Sequence, residues 1–147
     1  MKRVRTQGAA GRASLPPAAY RRLMWLILDR AGWRCERCRA KVALQVDHAI
    51  PRSHGGPDAW WNLTALCGGA LGCHAMKDRP YAEGRLRVVV LGEGRFKYEV
   101  CRGSKADPRL VDETYGGRPP TEEESVRLAE IMREVRRVRG LRVAETV

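Results

Sequence analysis

Apolar and polar positions change their spacing along the chain, and each spacing predicts a different element. After the prolines at positions 16 and 17, apolar residues recur about one helical turn apart and predict a helix that ends near Ala31. The apolar stripe of this helix consists of Tyr20, Leu23, Met24, Ile27 and Leu28. We expect this stripe to pack in the protein core.

The second half of the chain predicts a β-hairpin and another helix. Residues 86–91 and 96–101 are rich in Val and aromatic residues, and a Gly-Glu-Gly turn separates them. Cys101 is expected to be a small apolar residue in the second strand. Thr121 and Glu124 form a capping box that starts a helix to about Arg139, and residues 104–120 before it are expected to form a loop.

Two regions lack any regular spacing. Residues 1–14 are basic and rich in Gly and Ala, which predicts a flexible basic arm. Residues 33–77 are dense in Gly, Pro, Cys, His and Trp, and a bound metal ion would hold such a segment together. The length of 147 residues fits one domain. We expect residues 15–101 to form its main part. Residues 102–147 would add a loop and a helix that pack on the same domain or extend it.

The charge of the chain points to a nucleic-acid partner. Lys and Arg number 28 against 17 Asp and Glu, a net charge of +11, and residues 1–101 hold 18 basic and 8 acidic side chains. Neutralising phosphates with such a surface releases counterions, whereas solubility alone is the alternative explanation. No run approaches the roughly 18 apolar residues of a membrane span. No apolar segment follows the basic N-terminus as in a secretory signal. We therefore expect a soluble cytoplasmic protein.

Four of the five cysteines form two close pairs. These are Cys35-x2-Cys38 and Cys67-x5-Cys73. An odd number of cysteines argues against a disulfide framework. Two short-range pairs are typical of a zinc ion with four thiolate ligands, and four unrelated buried thiols are the alternative.

Acid–base and metal-ligating side chains lie between and beside these pairs. Asp47 and His48 are adjacent in a strand-like run, and His74 directly follows Cys73. Asp and His are ligands for magnesium, manganese or nickel. A neutral histidine beside such an ion is a suitable base for deprotonating water.

The segments that carry these residues resemble the HNH endonuclease family. They are Gly-Trp-Arg-Cys-Glu-Arg-Cys at 32–38, Val-Asp-His-Ala-Ile-Pro-Arg-Ser-His-Gly-Gly at 46–56, Asn-Leu at 62–63, Leu-Cys at 66–67 and Cys-His-Ala-Met-Lys at 73–77. The resemblance covers about residues 20–80. It implies an α+β fold with a ββα-metal core and a zinc knuckle, to which the N-terminal helix, the hairpin and the C-terminal helix are added.

The resemblance also implies roles for single residues. His48 matches the general base, Asp47 and His74 match ligands of the catalytic magnesium, manganese or nickel ion, and Asn62 matches an asparagine that orients the base or reaches the ion. The residues that match the structural zinc ligands are Cys35, Cys38, Cys67 and Cys73.

The spacing of the second cysteine pair departs from the family. Family members commonly have two residues between these cysteines, and here there are five. An insertion of three residues explains the difference, because glycines at 68, 69 and 72 allow a wider turn. Arg52 and Lys77 flank the motif and are expected to contact phosphate, with ordinary surface charge as the alternative.

The implied activity is metal-dependent hydrolysis of DNA phosphodiester bonds with low sequence specificity. Nicking by a monomer and double-strand cleavage by a homodimer both fit the sequence. Small members of the family also imply a phage protein that acts beside a terminase or another phage protein. The alternatives are an inactive zinc-ribbon DNA-binding module and an assembly protein in which the nuclease fold docks a partner.

Overall fold

The computed structural model describes residues 14–78, 85–104 and 106–145, which form a mixed α+β structure as predicted. The elements in chain order are α1 (Pro17–Arg30), β1 (Leu44–His48), a 3-10 turn (Arg52–His54), β2 (Leu63–Cys67), α2 (Cys73–Asp78), β3 (Arg85–Gly92), β4 (Arg95–Gly103), β5 (Pro108–Gly117) and α3 (Glu122–Glu145). The arm predicted at 1–14 lies outside the described residues except for Ser14. Within the described ranges, no helix is long and apolar enough to cross a membrane.

Strands β1 and β2 and helix α2 form the ββα unit that the sequence predicts. The two strands are antiparallel, with Asp47 opposite Thr64 and His48 opposite Leu63. Every residue of β2 is buried, and α2 contacts this strand. Because neighbouring side chains of a strand point to opposite faces, β2 can contribute to two cores. Its Leu63 packs in the core beneath α1 and α3, and its Leu66 packs in the core shared with the hairpin.

Strands β3, β4 and β5 form a separate antiparallel sheet in that order. The predicted hairpin is confirmed, and Cys101 is buried in its second strand. The loop predicted over residues 104–120 is wrong for most of its length, because Pro108–Gly117 form β5. This strand is exposed along much of its length and carries charged residues, so it lacks the apolar alternation by which a strand is recognised. Its backbone pairing with β4 defines it instead.

Helices α1 and α3 pack on each other, and Leu23 and Ile27 of the stripe predicted for α1 are buried in the core that also contains Ile131 and Val135 of α3. The predicted capping box is present at the start of α3. The Glu124 amide donates to Thr121 Oγ1 at 3.1 Å, and the Thr121 amide donates to Glu124 Oε1 at 2.9 Å. The helix continues past its predicted end at Arg139 to Glu145, because a single glycine at position 140 costs only about 1 kcal/mol inside a helix.

A buried ion pair joins α1 to the first cysteine pair and to β2. The Arg30 guanidinium donates to both carboxylate oxygens of Glu36 at 2.7 and 3.0 Å, and both side chains are almost fully buried. Arg30 also donates to the carbonyl oxygens of Trp60 and Leu63. Glu36 accepts from the Ala65 amide of β2 at 2.9 Å. The pair therefore connects the end of α1 and the first cysteine pair to Trp60 and β2, which are distant from them in sequence.

We predict that Glu36→Ala lowers the free energy of unfolding by about 3–5 kcal/mol, because it leaves the Arg30 charge buried without its partner. Urea denaturation of the metal-loaded protein measures this change. The matched control is Glu93→Ala, which removes the partner of Arg95 in an exposed pair and should change stability little. Equal effects of the two substitutions would contradict the structural importance of the buried pair.

Candidate active site and metal centre

The four paired cysteines lie together. Their Sγ atoms are all within 4.8 Å of one another; three of the residues are buried and Cys38 is exposed. A zinc ion with Zn–S bonds of about 2.3 Å sets its sulfur ligands about 3.8 Å apart, so the spacing of this cluster fits such an ion. Among the described residues, no other group of three or more His, Cys, Asp or Glu forms a comparable cluster.

Two of the sulfur atoms in the cluster accept hydrogen bonds of the kind that favour a thiolate, the form that binds zinc. The Cys73 amide donates to Cys67 Sγ at 3.3 Å, and the Arg37 guanidinium donates to Cys73 Sγ at 3.3 Å. A hydrogen bond from the Cys73 thiol lowers the pKa of Cys35 to about 4. The same bond, together with burial, raises the pKa of Cys73, and burial raises the pKa of Cys38.

The wider spacing of the second pair is accommodated by a glycine turn. Gly69 has a φ of +91°, which residues other than glycine rarely adopt. A Cβ atom on Gly72 would lie only 2.2 Å from the Gly68 carbonyl oxygen. The insertion between Cys67 and Cys73 therefore leaves both sulfur atoms in the cluster, as the sequence predicted.

Asp47, His48 and His74 lie on the ββα unit beside this cluster. Asp47 and His48 occupy the end of β1, and His74 is the second residue of α2. His74 Nε2 is 4.0 Å from Asp47 Oδ1. One nitrogen and one carboxylate oxygen at this separation are suitable ligands for a divalent ion, with its other positions left for water and phosphate oxygens.

Lys77 is directed toward the same carboxylate. Its ammonium donates to Asp47 Oδ2 and to the His48 carbonyl oxygen, each at 2.5 Å. One oxygen of Asp47 therefore faces Lys77 while the other faces His74. Lys77, which the sequence predicts to contact phosphate, forms an ion pair with Asp47.

The Asn62 side chain is bonded to the backbone of the loop after β1. It is fully buried, its Oδ1 accepts from the Ile50 amide at 2.8 Å, and its Nδ2 donates to the carbonyl oxygens of Ile50 and Pro57 at 3.0 Å. Gly56 makes the same loop tight, since a Cβ there would meet the Ile50 carbonyl oxygen at 1.7 Å. The described contacts thus place Asn62 on the loop backbone between His48 and Asp58.

Sequence reasoning missed Asp58, which contacts His48 directly. Asp58 Oδ1 lies 2.6 Å from His48 Nε2, and Arg52 donates to both carboxylate oxygens. Tyr20, which the sequence predicts only as a core residue, has its ring parallel to that of His48 at a centroid distance of 6.3 Å. A carboxylate between a Gly-rich turn and two tryptophans was the one available signal for Asp58. His54, in the 3-10 turn of the same loop, is exposed.

Comparison with known proteins agrees with this arrangement. Residues 35–79 match the family model described as HNH endonuclease. This segment of the chain is therefore similar to HNH endonucleases. The match begins at Cys35 of the zinc-type cluster and ends just after α2, so it contains all four cysteines and the Asp47–His48–His74 group. No curated protein and no solved structure gives a significant match to the chain.

We predict that Cys73→Ser greatly reduces the zinc content of the protein and lowers its unfolding temperature, because three sulfur ligands bind the ion less tightly than four. Metal analysis of purified protein, followed by thermal denaturation with and without a chelator, measures both effects. The matched control is Cys101→Ala, which removes the buried thiol outside the cluster and should retain one zinc per chain. Full zinc content in Cys73→Ser would contradict the four-cysteine site.

Proposed function

We propose that the protein is a metal-dependent endonuclease that hydrolyses phosphodiester bonds in DNA, with one structural zinc ion on the four cysteines. The observation that carries the proposal is the approach of His74 Nε2 to within 4.0 Å of Asp47 Oδ1 on a ββα unit, with His48 next to Asp47 in β1. The match of residues 35–79 to HNH endonucleases supports nuclease activity at the family level. The net charge of +11 supports a nucleic-acid substrate.

In this proposal, His48 is the general base. Its side chain is only 14% exposed, and it lies at the strand end where a substrate phosphate would meet the ββα unit. A water molecule loses a proton to the imidazole as its oxygen forms a bond to phosphorus, and the bond from phosphorus to the leaving sugar oxygen breaks. A second water molecule supplies the proton to that leaving oxygen. General-base catalysis of this kind contributes about 10²–10⁴-fold to a rate.

Asp47 and His74 are the proposed ligands of the catalytic ion, with magnesium, manganese or nickel as candidates. When bound, a divalent ion would stabilise the negative charge that develops on the phosphoryl oxygens. We propose that Lys77 orients Asp47 so that the oxygen facing His74 is the one available to the ion. Asn62 is proposed to act on the loop backbone, and thereby on the position of His48.

Contact of Arg52 and Lys77 with phosphate stays a prediction. Both cations are paired with carboxylates of the site, Arg52 with Asp58 and Lys77 with Asp47. The basic residues elsewhere in the first 101 positions are the broader source of DNA attraction. An association with a phage terminase is implied by the family resemblance alone and also stays a prediction, as do the oligomeric state and the choice between nicking and double-strand cleavage.

We predict that the purified protein converts supercoiled plasmid to nicked or linear DNA when magnesium, manganese or nickel is added. His48→Ala should lower the rate by at least about 10²-fold while retaining zinc, because it removes the base without touching the cysteines. Gel analysis of the cleavage time course measures the rate.

The matched control is His54→Ala, which removes the exposed histidine of the same loop and should cleave like the wild-type protein. Equal cleavage by the wild-type protein and His48→Ala would contradict the assignment of the base. If the protein binds DNA but does not cleave it with any of the three ions, the proposal is wrong and the inactive zinc-ribbon DNA-binding module is favoured.

A further inference from the structure

Asp58 is a buried carboxylate with an unusually complete set of hydrogen-bond donors. Its side chain has no exposed surface. Oδ1 accepts from Arg52 Nε at 3.1 Å and lies 2.6 Å from His48 Nε2. Oδ2 accepts from Arg52 Nη2 at 3.0 Å and from the Leu15 amide at 2.9 Å. The carboxylate is therefore enclosed by Leu15 just before α1, by Arg52 of the loop after β1 and by the imidazole of His48.

These contacts determine which nitrogen of His48 carries the proton. Two guanidinium donors and a backbone donor on one carboxyl group match the hydrogen bonding of a carboxylate, which accepts hydrogen bonds and donates none. His48 Nε2 must then be the donor in the 2.6 Å contact with Asp58. In the neutral imidazole the proton lies on Nε2, so Nδ1 has the free electron pair. Among the described residues, Nδ1 forms no hydrogen bond.

The ring is also held by its neighbours. The Tyr20 ring of α1 lies parallel to the imidazole, with an angle of 6° between the planes. The Arg52 guanidinium lies 5.1 Å from the centroid of the same tyrosine ring. Arg52 therefore contacts both Asp58 and Tyr20, the two side chains that restrain His48. Rotation of the imidazole would break the contact with Asp58 and disturb the parallel arrangement.

We propose that Asp58 is a positioning residue that holds His48 with its proton on Nε2 and presents Nδ1 as the atom that accepts the proton of the attacking water. The inference rests on the proposed nuclease function. Because Asp58 is enclosed, it contacts neither water nor DNA itself. The negative carboxylate also stabilises the imidazolium that forms when Nδ1 takes the proton, as an orienting aspartate does in hydrolytic triads.

The test combines cleavage kinetics with the nitrogen spectrum of the imidazole. Asp58→Asn keeps the size of the side chain but offers Nε2 an amide that can donate as well as accept. We expect kcat for DNA cleavage to fall by at least about 10²-fold, with KM for DNA and zinc content changed little. The control is Asp29→Asn, which neutralises an exposed carboxylate at the end of α1 that contacts Trp33 and not the site.

Long-range proton–nitrogen correlation of ¹⁵N-histidine-labelled protein reads the ring directly at a pH where it is neutral. The wild-type protein and Asp29→Asn should show His48 protonated on Nε2, whereas Asp58→Asn should show a mixture or the Nδ1-protonated form. Exposed His54 supplies an internal reference. Loss of folding alone would weaken zinc binding and broaden every histidine signal, which a positioning role does not predict.

The outcomes separate the inference from the proposed function. A wild-type His48 protonated on Nδ1 would overturn the inference even if DNA is cleaved, and so would an unchanged kcat in Asp58→Asn. If the wild-type protein cleaves no DNA under any ion, the proposed function fails, while the spectrum still decides which nitrogen Asp58 leaves free.

Discussion

The Arg30–Glu36 ion pair is buried where α1, the first cysteine pair and β2 meet. Its guanidinium also lies 4.8 Å from the Trp60 ring centroid and 5.4 Å from that of Phe96, so it contacts side chains of both cores. A buried pair is costly unless its hydrogen bonds are complete. Here backbone carbonyl and amide groups complete them, which ties the pair to one arrangement of the chain.

The candidate active site depends on that arrangement. β2 is held by Glu36 on one side and by the cysteine cluster at its end, and β1 is aligned to β2 by backbone hydrogen bonds. Asp47 at the end of β1 therefore lies beside His74 at the start of α2, and His48 follows Asp47 in the same strand. The loop fixed by Asn62 then leads to Asp58 at the His48 ring. The candidate active-site side chains are thus positioned mainly by polar contacts and by the cluster of four cysteines.

The sequence predicted the features that depend on neighbouring residues. The capping box of Thr121 and Glu124, the hairpin turn and the paired cysteines all have short-range patterns, and the structure contains each of them. Strand β5 has no such pattern, because its exposed, charged residues resemble a loop and only pairing with β4 makes it a strand. Asp58 and the Arg30–Glu36 pair were missed for a related reason. Their roles arise from contacts with backbone groups and rings brought together by the fold, and isolated charged residues resemble surface charge.

The proposed function requires two metal sites with different chemistry, a zinc site on the four cysteines and a site for the catalytic ion on Asp47 and His74. Anomalous diffraction from crystals of the zinc-loaded protein soaked in manganese tests this claim most directly. We expect a zinc signal among the four cysteine sulfur atoms and a manganese signal at a position between Asp47 and His74. A filled zinc site with manganese absent from Asp47 and His74 would contradict it.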